Sequence, residues 1–337
     1  MWFKWIKTAV VSAAAIAFVS STQAAEFKIA TLSPDGSAWM KEMRQAAKEI
    51  KTQTDGRVKF KFYPGGVMGS DEAVMRKIRI GQLQGGAMTG GSFAAVAPDS
   101  QAYNLPLKFR SFEEVDYVRA QMDEQVGADI KAGGFTTFGL AEGGLAYTMS
   151  KKTIDSVEAL RAGKVWIPND DKGAQRATDA FGVSPIPLQL ADVLAGLQTG
   201  LVDTVATSPI GAIALQWHTQ VKTMTDVPML YFYAVMAIDN RSFNRLNAGD
   251  QAIVTEVMTA AFKRIDAQNR KDNIAAYDAL QQQGVKVVAL TDEERVRWYQ
   301  LAEDAEKTIV QQGVMSQQVA DEVDRHLEQY RSSVAAQ

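Results

Sequence analysis

GKVWIPNDDKGAQRATDAFGVSPIPLQLADVLAGLQTGLVDTVATS, residues 163–208, decides the fold. It opens on the short apolar run Val165-Trp166-Ile167, which Pro168 stops before the polar residues Asn169, Asp170 and Asp171. A helical run follows and ends near Gly182, and a proline-punctuated turn spans 184–187. A second helix over 190–198 stops at Gly200, and an apolar strand covers 202–207. Strand, helix, turn, helix, strand is the pattern of an α/β lobe with parallel strands, and such sheets carry ligands at the carboxyl ends of their strands. Trp166 then lies in the first of these strands and Ser208 at the end of the last.

Outside this lobe the chain reads as a second one. Residues 26–31 form a strand, Ser37 caps a helix with Trp39, Met43, Ala46 and Ile50 on one stripe, and 58–62 alternates as a half-buried strand. Ser70 caps a helix over 71–80 that Gly81 ends, and a small-residue strand runs from Gly85 to Thr89. IRIGQLQGGAMT (78–89) and GLQTGLVDTVATS (196–208) share a helix end, a stopping glycine, an apolar residue two further on and a strand closing on a hydroxyl. Helix–glycine–strand units are common in α/β chains, so the repeat is suggestive. It points to two similar lobes, each bringing a strand end to one cleft.

The remaining elements connect the lobes. Residues 136–141 and 146–150 read as two strands around Glu142-Gly143-Gly144, and 229–238 (MLYFYAVMAI) as a strand long enough to cross back. Crossings near 146–150 and 233–238 form the expected hinge. A helical run without proline or glycine covers 250–283, a short strand 285–290, and Thr291-Asp292-Glu293-Glu294 is a capping box. A last amphipathic helix covers 316–330. The expected division is a signal peptide over 1–24, a first lobe over 25–147 to which 235–260 returns, a second lobe over 148–234, and a connecting helix, strand and terminal helices over 250–337.

Composition limits the chemistry. The chain has 337 residues, 46% hydrophobic and 22% charged, enough for two cores. MWFKWIKTAVVSAAAIAFVSSTQAAEF has a basic front, an uncharged run shorter than the roughly 20 residues that span a bilayer, and small residues before Ala25. It reads as a cleaved secretory signal, placing the mature protein in the periplasm. Loss of Lys4 and Lys7 makes the net charge of −3 two units more negative, which is no footprint for nucleic acid or an anionic membrane. The chain has no cysteine, which excludes disulfides, thiol catalysis and thiolate metal sites. Neither His218 nor His326 has a partner at metal-ligand or triad spacing, and no dinucleotide or phosphate-loop motif is present. No cofactor and no metal are expected.

Carboxylates and aromatics are left. Asp71, Glu142, Asp170 and Asp171 fall at helix starts or strand ends, where capping competes with ligand binding. Trp166, Trp217, Tyr231, Phe232 and Tyr233 cluster near the crossover, where core packing competes with a pocket lining. The residues thus describe an exported two-lobe α/β protein that captures a small solute in a cleft. An exported hydrolase or lyase using Glu142 and an aspartate, and a sensor docking on a membrane receptor, are the alternatives.

KFYPGGVMGSDEAVMRKIRIGQLQ (61–84), YNLPLKF (103–109), LRAGKVWIP (160–168) and PIPLQLADVLAGLQTGLVDTV (185–205) resemble, in that order, the DctP-type solute-binding proteins of tripartite ATP-independent periplasmic (TRAP) transporters. The resemblance implies a monomeric two-lobe binding protein with a long helix spanning both lobes. It also implies delivery of the solute to a membrane permease of one small and one large subunit, driven by a sodium gradient. Family members usually place an arginine, the partner of a substrate carboxylate, where this chain has Trp166. A second common arginine falls at Ala146, and the asparagine of the usual Q-E-N-P segment at Ser208. The matching positions offer Asp71, Thr89, Glu142, Asn169, Asp171 and Ser208, with Trp166, Tyr231 and Tyr233. With no bidentate cation at the usual position, the expected solute is a neutral polyol or a cationic amine. Trp166 and Tyr233 are its expected stacking walls, and Glu142 or Asp71 the countercharge. Arg176 and Arg110 are the cations that would hold a carboxylate instead.

Overall fold

The computed structural model describes residues 24–169 and 172–336. The leader through residue 23, together with Asp170 and Asp171, lies outside the described residues.

Local chemistry sets the first elements. Strand β1 (Ala25–Thr31) leads to helix α1 (Ala38–Gln53), whose cap Ser37 accepts from the Met40 amide at 3.2 Å. Met40, Met43, Ala46 and Ile50 recur every three to four residues and are buried as one stripe, with Trp39 half-buried beside them. After β2 (Val58–Tyr63), Ser70 caps α2 (Asp71–Arg79), and β3 (Gly85–Thr89) follows. Helix α3 (Phe112–Ala132), capped by Ser111, had no counterpart in the sequence reading.

Residues 136–150 are a single strand, β4 (Phe135–Ser150), and not two strands around a turn. Gly143 and Gly144 are absorbed as a bulge: Glu142 pairs with Tyr233, and Gly144 pairs with the adjacent Phe232. Only a glycine fits there. Gly144 has φ +103°, and a Cβ on it would lie 2.6 Å from the Asn273 amide nitrogen.

The second lobe contains α4 (Val157–Arg161), β5 (Trp166–Pro168), α5 (Lys172–Ala180), β6 (Ile186–Leu188), α6 (Val193–Thr199), β7 (Thr204–Thr207) and α7 (Pro209–Ala214). Gly200 ends α6 in the left-handed conformation at φ +75°. The proline-rich turn is in part the strand β6, paired in parallel with β5. Strand β8 (Thr223–Asp239) starts earlier than expected, because the mixed polar and apolar residues before Met229 pair with the far half of β4. Helix α8 (Asn240–Phe243) leads to α9 (Ala248–Gln282), whose 35 residues extend about 50 Å at ~1.5 Å each. Then come β9 (Lys286–Val288), α10 (Asp292–Gln311), capped by Thr291, and α11 (Gln317–Ala335).

The seven-stranded sheet runs β2-β1-β3-β8-β4-β7, with β9 added on β8. Its axis is the antiparallel β4–β8 ribbon, paired from Phe135 with Asp239 to Ser150 with Thr223. Strand β3 joins one end of the ribbon and β7 the other. Both approach its middle: β3 ends with Thr89 beside Ala234, and β7 ends with Thr207 beside Tyr147, itself paired with Pro228. At ~3.4 Å per residue the two strand ends stand roughly 20 Å apart along β8.

Candidate functional site

On the β3 side the site is a carboxylate held by hydroxyls. Asp71 is the first residue of α2, and its Oδ2 accepts from the Thr89 amide and the Thr89 hydroxyl, both at 2.9 Å, and from the Ser92 hydroxyl at 2.8 Å. Three donors on one oxygen fix its position, and the start of the helix favours its negative charge. Thr89 is exposed at the strand end. Behind it, the backbone at Gly90 lies directly on Tyr233: a Cβ there would be 1.9 Å from the ring.

On the β7 side Ser208 is nearly buried and caps α7, accepting from the Gly211 amide at 3.4 Å. Pro209 takes the next position, where a missing N–H costs nothing. Asn169 stands just beyond β5 with its side chain half-buried, and its amide donates to the Leu188 carbonyl at 3.2 Å. Asp171, the other candidate in this loop, lies outside the described residues.

The aromatic candidates sit elsewhere. Trp166 belongs to the second-lobe core, its indole nitrogen donating to the Leu188 carbonyl at 3.1 Å and its ring meeting Trp217 edge-on. Tyr231 and Tyr233 belong to the first-lobe core and make edge contacts with Tyr103. The Tyr231 hydroxyl accepts from Arg119 at 3.2 Å, and the Tyr233 hydroxyl donates to the Ser100 carbonyl. Burial pushes both phenols far above their ordinary range. Trp166 and Tyr233 therefore do not face each other as walls; their polar atoms and ring faces are taken by core neighbours.

Glu142 is also placed away from the strand ends. It is buried at the ribbon bulge, where its Oε2 accepts from Arg270 at 2.6 Å. Burial raises its pKa against the opposing pull of Arg270. Glu142 is thus enclosed within the ribbon, bonded to Arg270 of α9. Among the described residues no group of three potential metal ligands comes together.

Two cavities flank Tyr147, one of about 180 Å³ beside α9 and one of about 500 Å³ beside α10. Arg110 lines the larger cavity with Arg295, and its guanidinium lies 5.0 Å from the Tyr299 ring. The same cavity is lined by Tyr147 and Pro228, the pair beside which β7 ends, so Arg110 stands on the β7 side of the ribbon.

Residues 29–312 match the model of the bacterial extracellular solute-binding proteins, family 7. The chain belongs to this family. Its members are solute-binding receptors of TRAP transporters, not enzymes. Uncharacterized protein YiiZ of Salmonella typhimurium is 27% identical over 46% of this chain, which spans 48% of that protein. The 2,3-diketo-L-gulonate-binding periplasmic protein YiaO of Escherichia coli is 24% identical over 72% of this chain and 74% of its own length. The structure of a TRAP periplasmic solute-binding protein from Pseudomonas putida F1 with bound D-glucuronate superposes with a TM-score of 0.77. That match is 20% identical and covers 89% of this chain and 96% of the other. The likeness carries the two-lobe fold. Among the described residues no helix is long and apolar enough to cross a membrane.

Proposed function

We propose that this protein works in the periplasm, after removal of its leader, and captures a neutral polyol or an amine-bearing solute by closing its two lobes. It then hands the solute to the small and large subunits of a TRAP permease, working as a monomer. The lobes divide as the ribbon suggests, 25–147 with 235–260 against 148–234. Asp71, Thr89 and Ser92 bind from the first lobe, and Asn169, Asp171 and Ser208 from the second.

The observation that carries this reading is the burial of Trp166. The strand position matching the usual arginine holds a core side chain whose only donor is already given to Leu188. The other matching position, Ala146, is buried and uncharged. Diketogulonate and glucuronate, the solutes named for the two relatives, carry a carboxylate, and neither matching position here supplies a cation for it. A neutral or cationic solute needs no such cation.

A second reading is favoured by one side chain. Arg176 on α5 has its Nε buried with no hydrogen-bond partner among the described residues, and such a group is a natural receiver of a carboxylate. One panel separates the two. Melting temperature is recorded with sugar alcohols and aldoses, with amines, and with mono- and dicarboxylates. A solute at 100 times its Kd adds about 2.7 kcal/mol, a rise of roughly 5 °C or more for a chain of this size. Shifts from neutral or amine solutes alone support the first reading; shifts from carboxylates alone replace it with the second.

A further inference from the structure

The polar residues of α9 fall at a helical spacing that places them on one stripe, and the stripe meets the weakest point of the ribbon. Asp266, Asn269, Arg270 and Asn273 are three and four residues apart and share a face. Opposite them the β4 bulge interrupts the ladder between Glu142 and Gly144 and turns backbone groups outward. Asp266 accepts from the Glu142 amide at 2.7 Å, and Asn269 donates to the Glu142 carbonyl at 2.7 Å. Arg270 holds the Glu142 carboxylate through Nε at 2.6 Å and Nη2 at 2.5 Å, and grips Asp116 of α3 through Nη1 and the shared Nη2 at 2.8 and 2.7 Å. Asn273 donates to the Gly143 carbonyl at 3.3 Å.

Asn273 also reaches the other lobe. It is buried, and its Oδ1 receives the Ile210 amide at 3.5 Å. Ile210 is the second residue of α7, and its N–H is one of those a helix start leaves without a partner. Ser208 takes the Gly211 amide of the same turn. A residue of α9 and a candidate solute-binding residue therefore cap one helix together. The Ile210 contact is longer than the usual 2.7–3.2 Å of such bonds, so a small rotation of the second lobe tightens or parts it.

We infer that this stripe, with Asn273 as its bridge, is a positioning device. It fixes the bend of the ribbon at the Glu142–Gly144 bulge and ties that bend to the start of α7. The resting angle of the cleft, and with it the affinity for solute, is then set from α9 as well as by groups that touch the solute. In this scheme Asp266, Asn269 and Arg270 act without touching solute, and Asn273, which lines the smaller cavity with Pro209 and Tyr147, acts through the start of α7. The inference rests on the lobe-closure reading, and its test requires no solute, so the two fail separately.

The chain has no cysteine, so labels can be placed without background. Ile80 and Leu201 are exposed and sit at the corresponding helix ends of the two half-repeats, one in each lobe. Spin labels on Ile80→Cys and Leu201→Cys report the interlobe distance in the solute-free protein. In the Asn273→Ala background the distance distribution is expected to shift by several ångström or to broaden clearly. Ile265→Val trims the core side of the same helix and is expected to lower the melting temperature while leaving the distance unchanged. If Asn273→Ala lowers the melting temperature and leaves the distribution of the parent, the stripe is merely structural and the inference is overturned. Should Asn273→Ala not fold, Arg270→Gln is measured in the same way against the same two outcomes.

Discussion

Trp166 and Trp217 meet edge to face, their ring centroids 5.0 Å apart and their planes at 78°. The pair lies within the second-lobe core, with Val193, Leu197 and Val205 in the same cluster. Truncating a buried tryptophan removes both transfer free energy and packing, so Trp166→Ala is expected to lose about 3–5 kcal/mol. Trp166→Phe, which keeps a ring, should lose markedly less. Trp166→Arg restores the residue type usual in the family but buries a cation among apolar side chains, and should be no more stable than the alanine variant. Urea unfolding of solute-free protein measures all three. A loss below about 1 kcal/mol for Trp166→Ala would place the ring at a solvated surface and return it to the list of candidate solute contacts.

Gly90 offers a test of the first lobe. Its backbone approaches the Tyr233 ring so closely that a Cβ would stand 1.9 Å from Cζ, and Tyr233 is locked by its bond to Ser100 and its packing on Tyr103. Gly90→Ala must push ring or loop aside, a strain of about 1–3 kcal/mol or more. Tyr233→Leu in the same background opens room for the methyl group, so the two changes should be less costly together than their sum. Strict additivity in a double-mutant cycle would mean that the contact is not what constrains this turn.

Much of the architecture is legible because its signals are local. Ser37, Ser70 and Thr291 announce helix starts, since each bonds an amide three residues ahead in the chain. The long run of helix formers identifies α9, and the half-repeats mark the two strands, β3 and β7, that end on either side of the middle of the ribbon. Glu142 shows where local reading stops. A lone carboxylate before two glycines looks like a turn, because its cation, Arg270, is 128 residues away and the strand that straightens it is β8. Trp166 and Tyr233 are ambiguous in the sequence for a related reason. An aromatic ring with a polar handle suits a pocket wall and a core equally well, and only the tertiary partners, Leu188 and Ser100, decide which. The departure from arginine at Trp166 is visible in the sequence; its burial is not.

Asp71 should separate binding from stability. Its acceptors organise Thr89 and Ser92 at an exposed corner, where water can replace the lost bonds. Asp71→Asn is therefore expected to cost about 1 kcal/mol of stability. The larger effect is on the melting shift given by the best neutral or amine solute of the screening panel, which should fall to less than half. A shift unchanged by the substitution, with calorimetry giving the same Kd, would remove Asp71 from the site. Arg176→Gln serves as the counterpart. It should leave that shift intact and abolish any shift caused by a carboxylate.

Two buried carboxylates of opposite pKa direction give the pH dependence its sign. Asp250 lies near the start of α9, where Arg57 donates to both its oxygens at 2.8 and 3.1 Å and Asn247 adds a third bond at 2.8 Å. The Arg57 guanidinium holds its pKa below the ordinary aspartate value. Its stabilising contribution is present above the unfolded pKa of about 3.9 and is lost as pH falls through the folded value. Glu142 is the reverse case: burial raises its pKa, outweighing Arg270. Its contribution is present below the unfolded value of about 4.3 and declines as pH rises through the folded one. Relative to Asp250→Asn, the parent should gain stability as pH rises through that window. Relative to Glu142→Gln, it should lose stability over the same rise. Urea midpoints between about pH 3 and 7 test both at once. A parent that gains against both variants would mean that Arg270 outweighs burial at the hinge, making Glu142–Arg270 a net stabilising pair whose removal loosens the bulge.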